Sequence, residues 1–216
     1  MIISPQDTRG GYTIEALNSL KLKNDKQLKI ILASGSPRRK ELLKMIEIKD
    51  FAVIPDETEE IFALGLTPEQ SVCKTALQKA KNVSKLCNPD DLIIAADTEV
   101  YLDGQHFGKP TDAQDAEDML KRLSGRCHTV YTGLAIILGD DIITGAESTA
   151  VYFRELSDKE ITNYVKTGEP MDKAGAYGVQ GMGSVFIERL EGDFFNVMGL
   201  PVCRLTIMLR NLGVDI

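Results

Sequence analysis

The sequence predicts a protein of the mixed α/β class. Short apolar runs that suit buried strands alternate with segments in which apolar residues recur at helical spacing. At 216 residues, the chain is long enough to bury a good core as one domain, or as two lobes that share a cleft. Residues 1–26 are polar and carry no usable motif, so we expect an N-terminal extension there and a folded domain over residues 27–216.

The first predicted unit is a strand, a tight turn and a helix. The apolar run at 30–33 indicates a buried strand that breaks at Ser34, and Ser36 followed by proline suits a helix start. Arg38 and Arg39 follow at once, although the helix dipole disfavours cations there. The simplest account is that these arginines and the unpaired backbone amides surround a phosphate-bearing ligand. The alternative is that both arginine side chains turn outward into water. The glycine patterns of Walker A and dinucleotide-binding motifs are absent from this segment.

An acidic run and a long helix come next. A second strand is predicted at 51–54, and the acidic run at 56–60 that follows it would ordinarily be a solvated loop. A strong capping pattern at Thr67 predicts a helix that continues to about Leu86. Lys79 lies beside the buried stripe of that helix, a position from which lysines usually extend to water.

The most apolar short run, at 92–96, predicts a central strand that ends at Asp97. A carboxylate at the C-terminal end of a buried strand lies where ligand clefts form in open α/β sheets. The alternative is a turn or N-cap aspartate, but apolar residues resume at 100–102, so Asp97 starts no helix. The pair Asp103-Gly104 then predicts a hairpin turn.

The rest of the chain is expected to alternate in the same way. We predict, in order, a helix at 112–123, a hairpin of strands at 127–138 and 142–153, a helix at 157–168, a second hairpin at 185–190 and 194–197, and a last helix at 201–213. A glycine-rich loop at 168–183 separates two of these elements and carries Lys173 and Gln180. Loops of that length usually bind a ligand, although a mobile surface lid would also explain the glycines.

Composition excludes several classes of protein. A net charge of −7 argues against a general binder of nucleic acid or of anionic membranes, so any phosphate site must be a local positive pocket. No apolar run is long enough for a membrane span and no signal peptide pattern is present, so we expect a cytoplasmic protein. The four cysteines lie far apart with no C-x-x-C pair, which favours reduced and mostly buried thiols. With only two histidines, a multi-histidine metal site is impossible.

Two motifs resemble those of the Maf family of nucleoside triphosphate pyrophosphatases. They are Ser34-Gly-Ser-Pro-Arg-Arg-Lys-Glu-Leu-Leu43 and Glu169-Pro-Met-Asp-Lys-Ala-Gly-Ala-Tyr-Gly-Val-Gln-Gly181, and the resemblance spans about residues 28–212. It implies a Maf/ITPase-like fold, a mixed twisted sheet in two α/β lobes with an active-site cleft between them. It also implies cleavage of a nucleoside triphosphate between its α and β phosphates, and a homodimer.

The resemblance further implies the roles of individual residues. A functional glutamate follows the second strand, where Glu60 fits best and Glu57 and Glu59 are alternatives. Asp97 and Glu60 are expected to hold a divalent cation, Mg²⁺ or Mn²⁺, and to polarise the attacking water. The other expected site residues are the catalytic Lys79 and Lys109 and the substrate-binding Ser34, Arg38, Arg39, Thr98, Lys173 and Gln180.

The choice of base follows from three of those positions. One branch of the family prefers dTTP and UTP and another prefers 7-methyl-GTP, and this chain resembles the pyrimidine branch at Arg39, Thr98 and Gln180. We therefore expect hydrolysis of dTTP, UTP and modified pyrimidine relatives in a house-cleaning role. The alternatives are a 7-methyl-GTP- or CTP-specific enzyme of the same family, a non-catalytic regulator of septum formation and cell division, and a kinase or ATPase that cleaves the γ-phosphate.

Overall fold

Helices pack against a mixed sheet of seven strands in the part of the chain that the computed structural model describes, residues 21–22, 27–56, 58 and 65–215. The strands are β1 (Lys21–Leu22), β2 (Ile30–Leu32), β3 (Phe51–Val53), β4 (Leu92–Leu102), β5 (Gln105–Phe107), β6 (Cys127–Leu138), β7 (Asp141–Phe153), β8 (Ile187–Glu191) and β9 (Val214–Asp215). The α-helices are α1 (Pro37–Met45), α2 (Pro68–Ser84), α3 (Ala113–Leu123), α4 (Asp158–Val165), α5 (Phe194–Met198) and α6 (Val202–Asn211). The predicted mixed α/β class is confirmed.

The sheet has the strand order β3-β2-β4-β6-β7-β8, and β5 pairs with β4 beside this path. β2 lies parallel to both β3 and β4, whereas the remaining pairs are antiparallel. β2 accompanies only the first part of β4, because their pairing stops at Leu32 and Ile94. Beyond that point β4 continues along β6, and β5 joins its other side only from Val100. The middle of β4 is therefore left without a neighbouring strand on one side.

The prediction that the central strand ends at Asp97 is wrong, since β4 runs on to Leu102. β6 supplies a pairing partner for each residue across this region, including Gly133 opposite Asp97. A polar residue can therefore lie within the strand without interrupting its hydrogen bonding on that side. Asp97 still lies just beyond the end of the parallel neighbour β2, which is why the expected cleft forms beside it.

Buried side chains form three clusters along β4; one lies under α2, and the other two form the two lobes that the family resemblance implied. The first lobe packs around β2, α1 and α6, and β4 contributes Ile94 and Ala96 to it. The second lobe packs around α3, α4 and the segment after α4, and β4 contributes Val100 and Leu102 to it. The change from one core to the other falls at Asp97 and Thr98, so the strand places its polar residues between the lobes.

α2 covers the remaining face of the sheet at unusually close range. A Cβ atom at Gly133 would lie 2.3 Å from the carbonyl carbon and oxygen of Val72, so only glycine permits this approach of helix to strand. The capping box at Thr67 and the buried stripe of the helix agree with prediction. Because Gly133 pairs with Asp97, this contact also holds α2 close to the polar part of β4.

The second predicted hairpin is wrong in one of its two strands. Residues 194–198 form helix α5 instead of a strand, although their composition suits either. The side chain of Asp193 accepts a hydrogen bond from the Phe195 amide and caps the helix start. Gly199, with φ of 104°, ends the helix in the left-handed conformation. These two flanking residues outweigh the strand propensity of the aromatic residues between them.

The loop after α4 is also more regular than expected. It contains 3₁₀ segments at Glu169–Asp172, Ala174–Ala176 and Met182–Phe186.

The expectation of mostly buried thiols is wrong as well. Two of the free cysteines are exposed and two are partly exposed, namely Cys127 and Cys203, and Cys73 and Cys87.

The beginning of the chain is described only in part. Lys21–Leu22 pairs in antiparallel fashion with Val214–Asp215, whereas residues 1–20 and 23–26 lie outside the described residues. The proposed boundary between an extension and the domain at residues 26 and 27 therefore stays a prediction. None of the helices in the described part of the chain combines the length and apolarity that a transmembrane span requires.

The core of the second lobe contains a buried histidine. His128 on β6 is 2% exposed, and its Nε2 lies 2.8 Å from the hydroxyl group of Tyr177. Its ring also meets the rings of Phe153 and Tyr177 edge-on. Burial lowers the pKa of His128 from its usual value of 6.5 to about 3, so the imidazole stays neutral in the folded protein.

This histidine predicts a dependence of stability on pH. Between pH 6.5 and about 3, His128 is protonated in the unfolded chain but neutral in the folded protein. Its contribution to the free energy of unfolding is therefore fully present above pH 6.5 and is lost as the pH falls through this window. We expect the His128 contribution to fall by up to about 1.4 kcal/mol per pH unit. Urea unfolding of the wild type and His128→Asn from pH 7 to pH 4 measures it. His128→Asn should reduce the slope, and Tyr177→Phe, which keeps the histidine, should retain it. An equal slope in wild type and His128→Asn would contradict the prediction.

Candidate active site

A cavity of about 780 Å³ opens between the two lobes, a volume within the range of small-molecule sites. It lies at the end of β2, the first turn of α1, the middle of β4 and the loop after α4. The residues that line it are Ala33 to Arg39, Pro55, Asp56, Lys79, Asp97, Thr98, Val100, Lys109, Val130, Asp172 to Ala174, Tyr177 to Val179 and Val197 to Gly199. Nine of the ten residues expected in the site fall in the described part of the chain, and all of them except Gln180 line this cavity.

The first turn of α1 forms one wall of the cavity. Ser36 occupies the N-cap position but its side chain makes no capping hydrogen bond, and no acidic residue lies in the first turn. Ser34, which is buried, instead accepts a hydrogen bond from the Ser36 amide at 3.3 Å. A helix start without acidic or side-chain caps keeps its positive end available for an anion in the cavity.

Arg39 joins three elements around the cavity. It donates hydrogen bonds to the Gly199 carbonyl oxygen at 2.8 Å, to Ser34 Oγ at 2.9 Å and to Thr98 Oγ1 at 3.1 Å. Thr98 in turn lies 3.0 Å from Thr132 Oγ1 on β6. The structure thus brings Arg39 and Thr98 together, as expected of residues that act on one ligand.

Gln180, the third residue of the predicted base-recognition set, lies elsewhere. Its side chain is exposed on the loop, and it is not among the residues that line the cavity. Its neighbours Gly178 and Val179 do line the cavity, so the loop borders the site at this point without the Gln180 side chain.

Lys79, which is partly buried, and Asp97, which is buried, form an ion pair in the cavity wall. Lys79 Nζ lies 2.7 Å from Asp97 Oδ1, and the two side chains are 15% and 8% exposed. The close packing of α2 at Gly133 brings the lysine to the strand that carries the aspartate. Breaking such a pair by removing one partner is costly, so each side chain holds the other in place.

The other cavity cations differ in their surroundings. Arg38 Nη1 lies 3.3 Å from Asp172 Oδ2, and Lys173 Nζ lies 2.6 Å from Asp172 Oδ1. Lys109 follows β5 and is exposed at the cavity, and it makes no ion pair with any described residue. Among the described residues of the site, Arg38, Lys79 and Lys173 are thus paired with carboxylates, whereas Lys109 makes no such pair.

The predicted glutamate cannot be placed. Glu57, Glu59 and Glu60 lie outside the described residues, so the role of Glu60 stays a prediction. Asp56, at the start of the same acidic run, lines the cavity and accepts hydrogen bonds from Thr58. The acidic run therefore leaves β3 at the edge of the site.

Sequence reasoning missed Glu99, which lies two residues after Asp97 in β4. The side chain is 3% exposed and accepts hydrogen bonds from Ser71 Oγ at 3.0 Å and from the Tyr101 hydroxyl at 2.6 Å. Burial raises the pKa of Glu99, although the hydrogen bond from Tyr101 opposes this shift. The alternation of side chains along a strand could have found it, because residues 97 and 99 share one face. Glu99 does not line the cavity, and it fixes α2 to β4 beside it.

Comparison with known proteins gives a consistent result. Residues 29–212 match the family described as Maf-like protein. A dTTP/UTP pyrophosphatase of Caldicellulosiruptor saccharolyticus is 46% identical over 195 residues, covering 87% of this chain and 96% of the relative. A dTTP/UTP pyrophosphatase of Bacillus cereus is 45% identical over 188 residues, covering 87% and 97%. The solved nucleoside-triphosphatase / dITP/XTP pyrophosphatase of Mycobacterium abscessus covers 86% of this chain and 98% of its own at 17% identity, but its TM-score of 0.43 is too low to support an argument.

Proposed function

The chain belongs to the Maf-like protein family, and from that membership we propose that it hydrolyses dTTP and UTP to the nucleoside monophosphate and pyrophosphate. The names of relatives that are about 45% identical over most of the chain support this proposal. One structural observation carries it: the ion pair of Lys79 and Asp97 and the first turn of α1 line the same cavity. Location in the cytoplasm, a house-cleaning role and a homodimer are parts of the proposal.

The charges of the cavity suit a triphosphate. Among the described lining residues, the cations are Arg38, Arg39, Lys79, Lys109 and Lys173, and the carboxylates are Asp56, Asp97 and Asp172. Cations therefore outnumber carboxylates here, although the whole chain carries a net charge of −7. Such a local positive site in an acidic protein favours a small polyanion over a nucleic acid or a membrane surface.

The reaction that fits this arrangement is an attack of water on the α-phosphorus. Asp97 would accept a proton from the attacking water. The bond between the α-phosphorus and the oxygen that it shares with the β-phosphorus would break, and pyrophosphate would leave with that oxygen. Lys79 keeps the Asp97 carboxylate oriented and adds positive charge beside it. Lys109 and Arg38 would stabilise the charge that develops on the leaving pyrophosphate.

A divalent cation is a further part of the proposal. No group of three or more metal-binding side chains occurs among the described residues. Mg²⁺ usually keeps several waters and binds one or two carboxylates together with substrate phosphates, so Asp97, with Glu60 as the predicted second ligand, fits this requirement. Mg²⁺ or Mn²⁺ held there would supply positive charge that makes the phosphate more electrophilic.

The base preference rests on the relatives and on the positions of Arg39 and Thr98. Glutamine offers both a donor and an acceptor to the edge of uracil or thymine, but the exposed Gln180 lies outside the cavity. Its part in base recognition therefore stays a prediction.

A panel of nucleotides tests this proposal. We expect kcat/KM for dTTP and UTP, with C5-modified pyrimidine relatives, to exceed that for CTP, ATP, GTP and 7-methyl-GTP by at least about tenfold, because a mismatched edge leaves buried polar groups unpaired. Initial rates of pyrophosphate release measure it. A higher value for 7-methyl-GTP or CTP would contradict the base preference. Orthophosphate as the product would favour a kinase- or ATPase-like reaction, and no product at all would favour a non-catalytic regulator.

A further inference from the structure

One carboxylate lies between two of the expected phosphate-binding cations. Asp172 contacts Arg38, in the first turn of α1, and Lys173, its own neighbour after the 3₁₀ segment. All three side chains line the cavity. The two cations thus have a negative partner supplied by the protein itself, in the position where a phosphate group is expected.

The contacts of Asp172 differ from the Lys79–Asp97 ion pair in their exposure. The side chain of Asp172 is 61% exposed, whereas Asp97 is 8% exposed in its pair with Lys79. Exposed ion pairs contribute little free energy, so a competing anion exchanges with Asp172 at small cost. A buried pair resists such exchange, because separation leaves an uncompensated charge.

Lys173 does not depend on Asp172 for its position. Its Nζ also donates a hydrogen bond to the Glu169 carbonyl oxygen at 2.5 Å. The Glu169 carboxylate in turn accepts hydrogen bonds from the backbone amides of Met182 and Gly183, which closes the loop on itself. A lysine ammonium has three donors, so Lys173 can exchange Asp172 for a phosphate oxygen and keep its contact with the backbone.

Asp172 is a charged competitor in this site. Although burial alone would raise the pKa of Asp172, the hydrogen bond from Lys173 and the charge of Arg38 lower it, so the carboxylate is ionised at neutral pH. A phosphate group carries more negative charge and more acceptor oxygens than a carboxylate, and it can form the same paired hydrogen bonds with arginine.

We propose that Asp172 is an internal competitor for the phosphate site, which pairs with Arg38 and Lys173 until a polyphosphate replaces it and pairs with them again as pyrophosphate leaves. This role rests on the proposed function, and it concerns affinity for the product. A nucleoside triphosphate gains further contacts through its base and sugar, whereas free pyrophosphate does not. Competition by Asp172 therefore raises the Kd of both ligands by the same factor, and pyrophosphate, which lacks the base and sugar contacts, is left the more weakly bound of the two and is released more readily.

Asp172→Asn tests the proposal through a gain of affinity. We expect the Kd of inorganic pyrophosphate, measured by calorimetry at one fixed Mg²⁺ concentration, to fall about three- to tenfold, because two weak competing pairs are removed. Inhibition of turnover by added pyrophosphate should strengthen by the same factor. Structural damage to the site would weaken binding of pyrophosphate, whereas loss of a competitor would strengthen it, so the direction of the change in Kd separates these two explanations. Asp172→Glu, which restores the charge, should return the Kd toward the wild-type value.

A matched control is available at another exposed aspartate. Asp103 pairs with Arg126 outside the cavity, and its φ of 50° suits asparagine, so Asp103→Asn should leave the Kd unchanged. In an Arg38→Ala background, Asp172→Asn should give a smaller gain, because one of the two competing contacts is already absent.

Two outcomes separate this proposal from the proposed function. If Asp172→Asn binds pyrophosphate no more tightly than the wild type does, and the wild type releases pyrophosphate from dTTP or UTP, the role of Asp172 is overturned. A tighter Kd in a protein that releases no pyrophosphate from any nucleotide would support the role of Asp172 and contradict the proposed reaction.

Discussion

Asp97→Asn is expected to lower kcat by on the order of 10³-fold and to leave the fold intact. An amide takes up no proton from water and is a poorer ligand for a divalent cation than a carboxylate. Its oxygen still accepts a hydrogen bond from Lys79, which lies 2.7 Å from Oδ1 in the wild type, so the cavity wall keeps its shape. Steady-state release of pyrophosphate from UTP measures the loss of kcat, and a melting curve for each protein shows whether the fold is intact.

The matched control for this variant is Asp91→Asn. Asp91 is also a buried aspartate with a lysine partner, Lys29 at 3.5 Å, but it lies outside the cavity. Its substitution should leave turnover close to the wild-type value even where it lowers the melting temperature. Turnover in Asp97→Asn that matches turnover in Asp91→Asn would show that Asp97 is not the catalytic carboxylate.

Lys79→Ala carries the second large expected effect, a fall in kcat/KM of about 10²- to 10³-fold. This is the usual cost of removing one donor that stabilises transition-state charge. Lys79 is 15% exposed and contacts Asp97, so its removal also leaves that carboxylate without its partner. The same assay measures the effect.

Lys81→Ala provides the control on the same helix. Lys81 is exposed and does not line the cavity, so this variant loses an equal charge from α2 without touching the site. Equal kinetics in Lys79→Ala and Lys81→Ala would mean that Lys79 has only a structural role. Lys79→Arg, which keeps the charge but not the geometry, should recover part of the lost activity.

The fold could be predicted closely where local signals decide it. The capping box at Thr67, the helix start at Ser157 and the turn at Asp103-Gly104 all fall where the sequence indicates them. The prediction failed where a distant partner decides. β4 continues through Asp97 because β6 pairs with it, and β6 begins at Cys127, which no local pattern around Asp97 reveals.

The sequence predicted which residues form the site better than it predicted which of them contact one another. The end of the apolar run at 92–96 indicated Asp97 and the resemblance to the family supplied Lys79, and the structure brings the two into contact. Asp172 was missed because its partner Arg38 lies 134 positions away in the chain, and sequence spacing carries no information about such an approach. Gln180 was expected beside a ligand, yet the 3₁₀ turns of its loop leave the side chain exposed.

The most direct test of the central claim is the identity of the phosphorus products that the wild-type protein forms from UTP. Phosphorus NMR of the reaction mixture resolves the candidates without any coupled enzyme. If water attacks the α-phosphorus in the cavity between the lobes, the signals of UMP and pyrophosphate should grow together in equal amounts. Growth of UDP and orthophosphate signals instead would contradict the proposed reaction, whatever the effects of the variants.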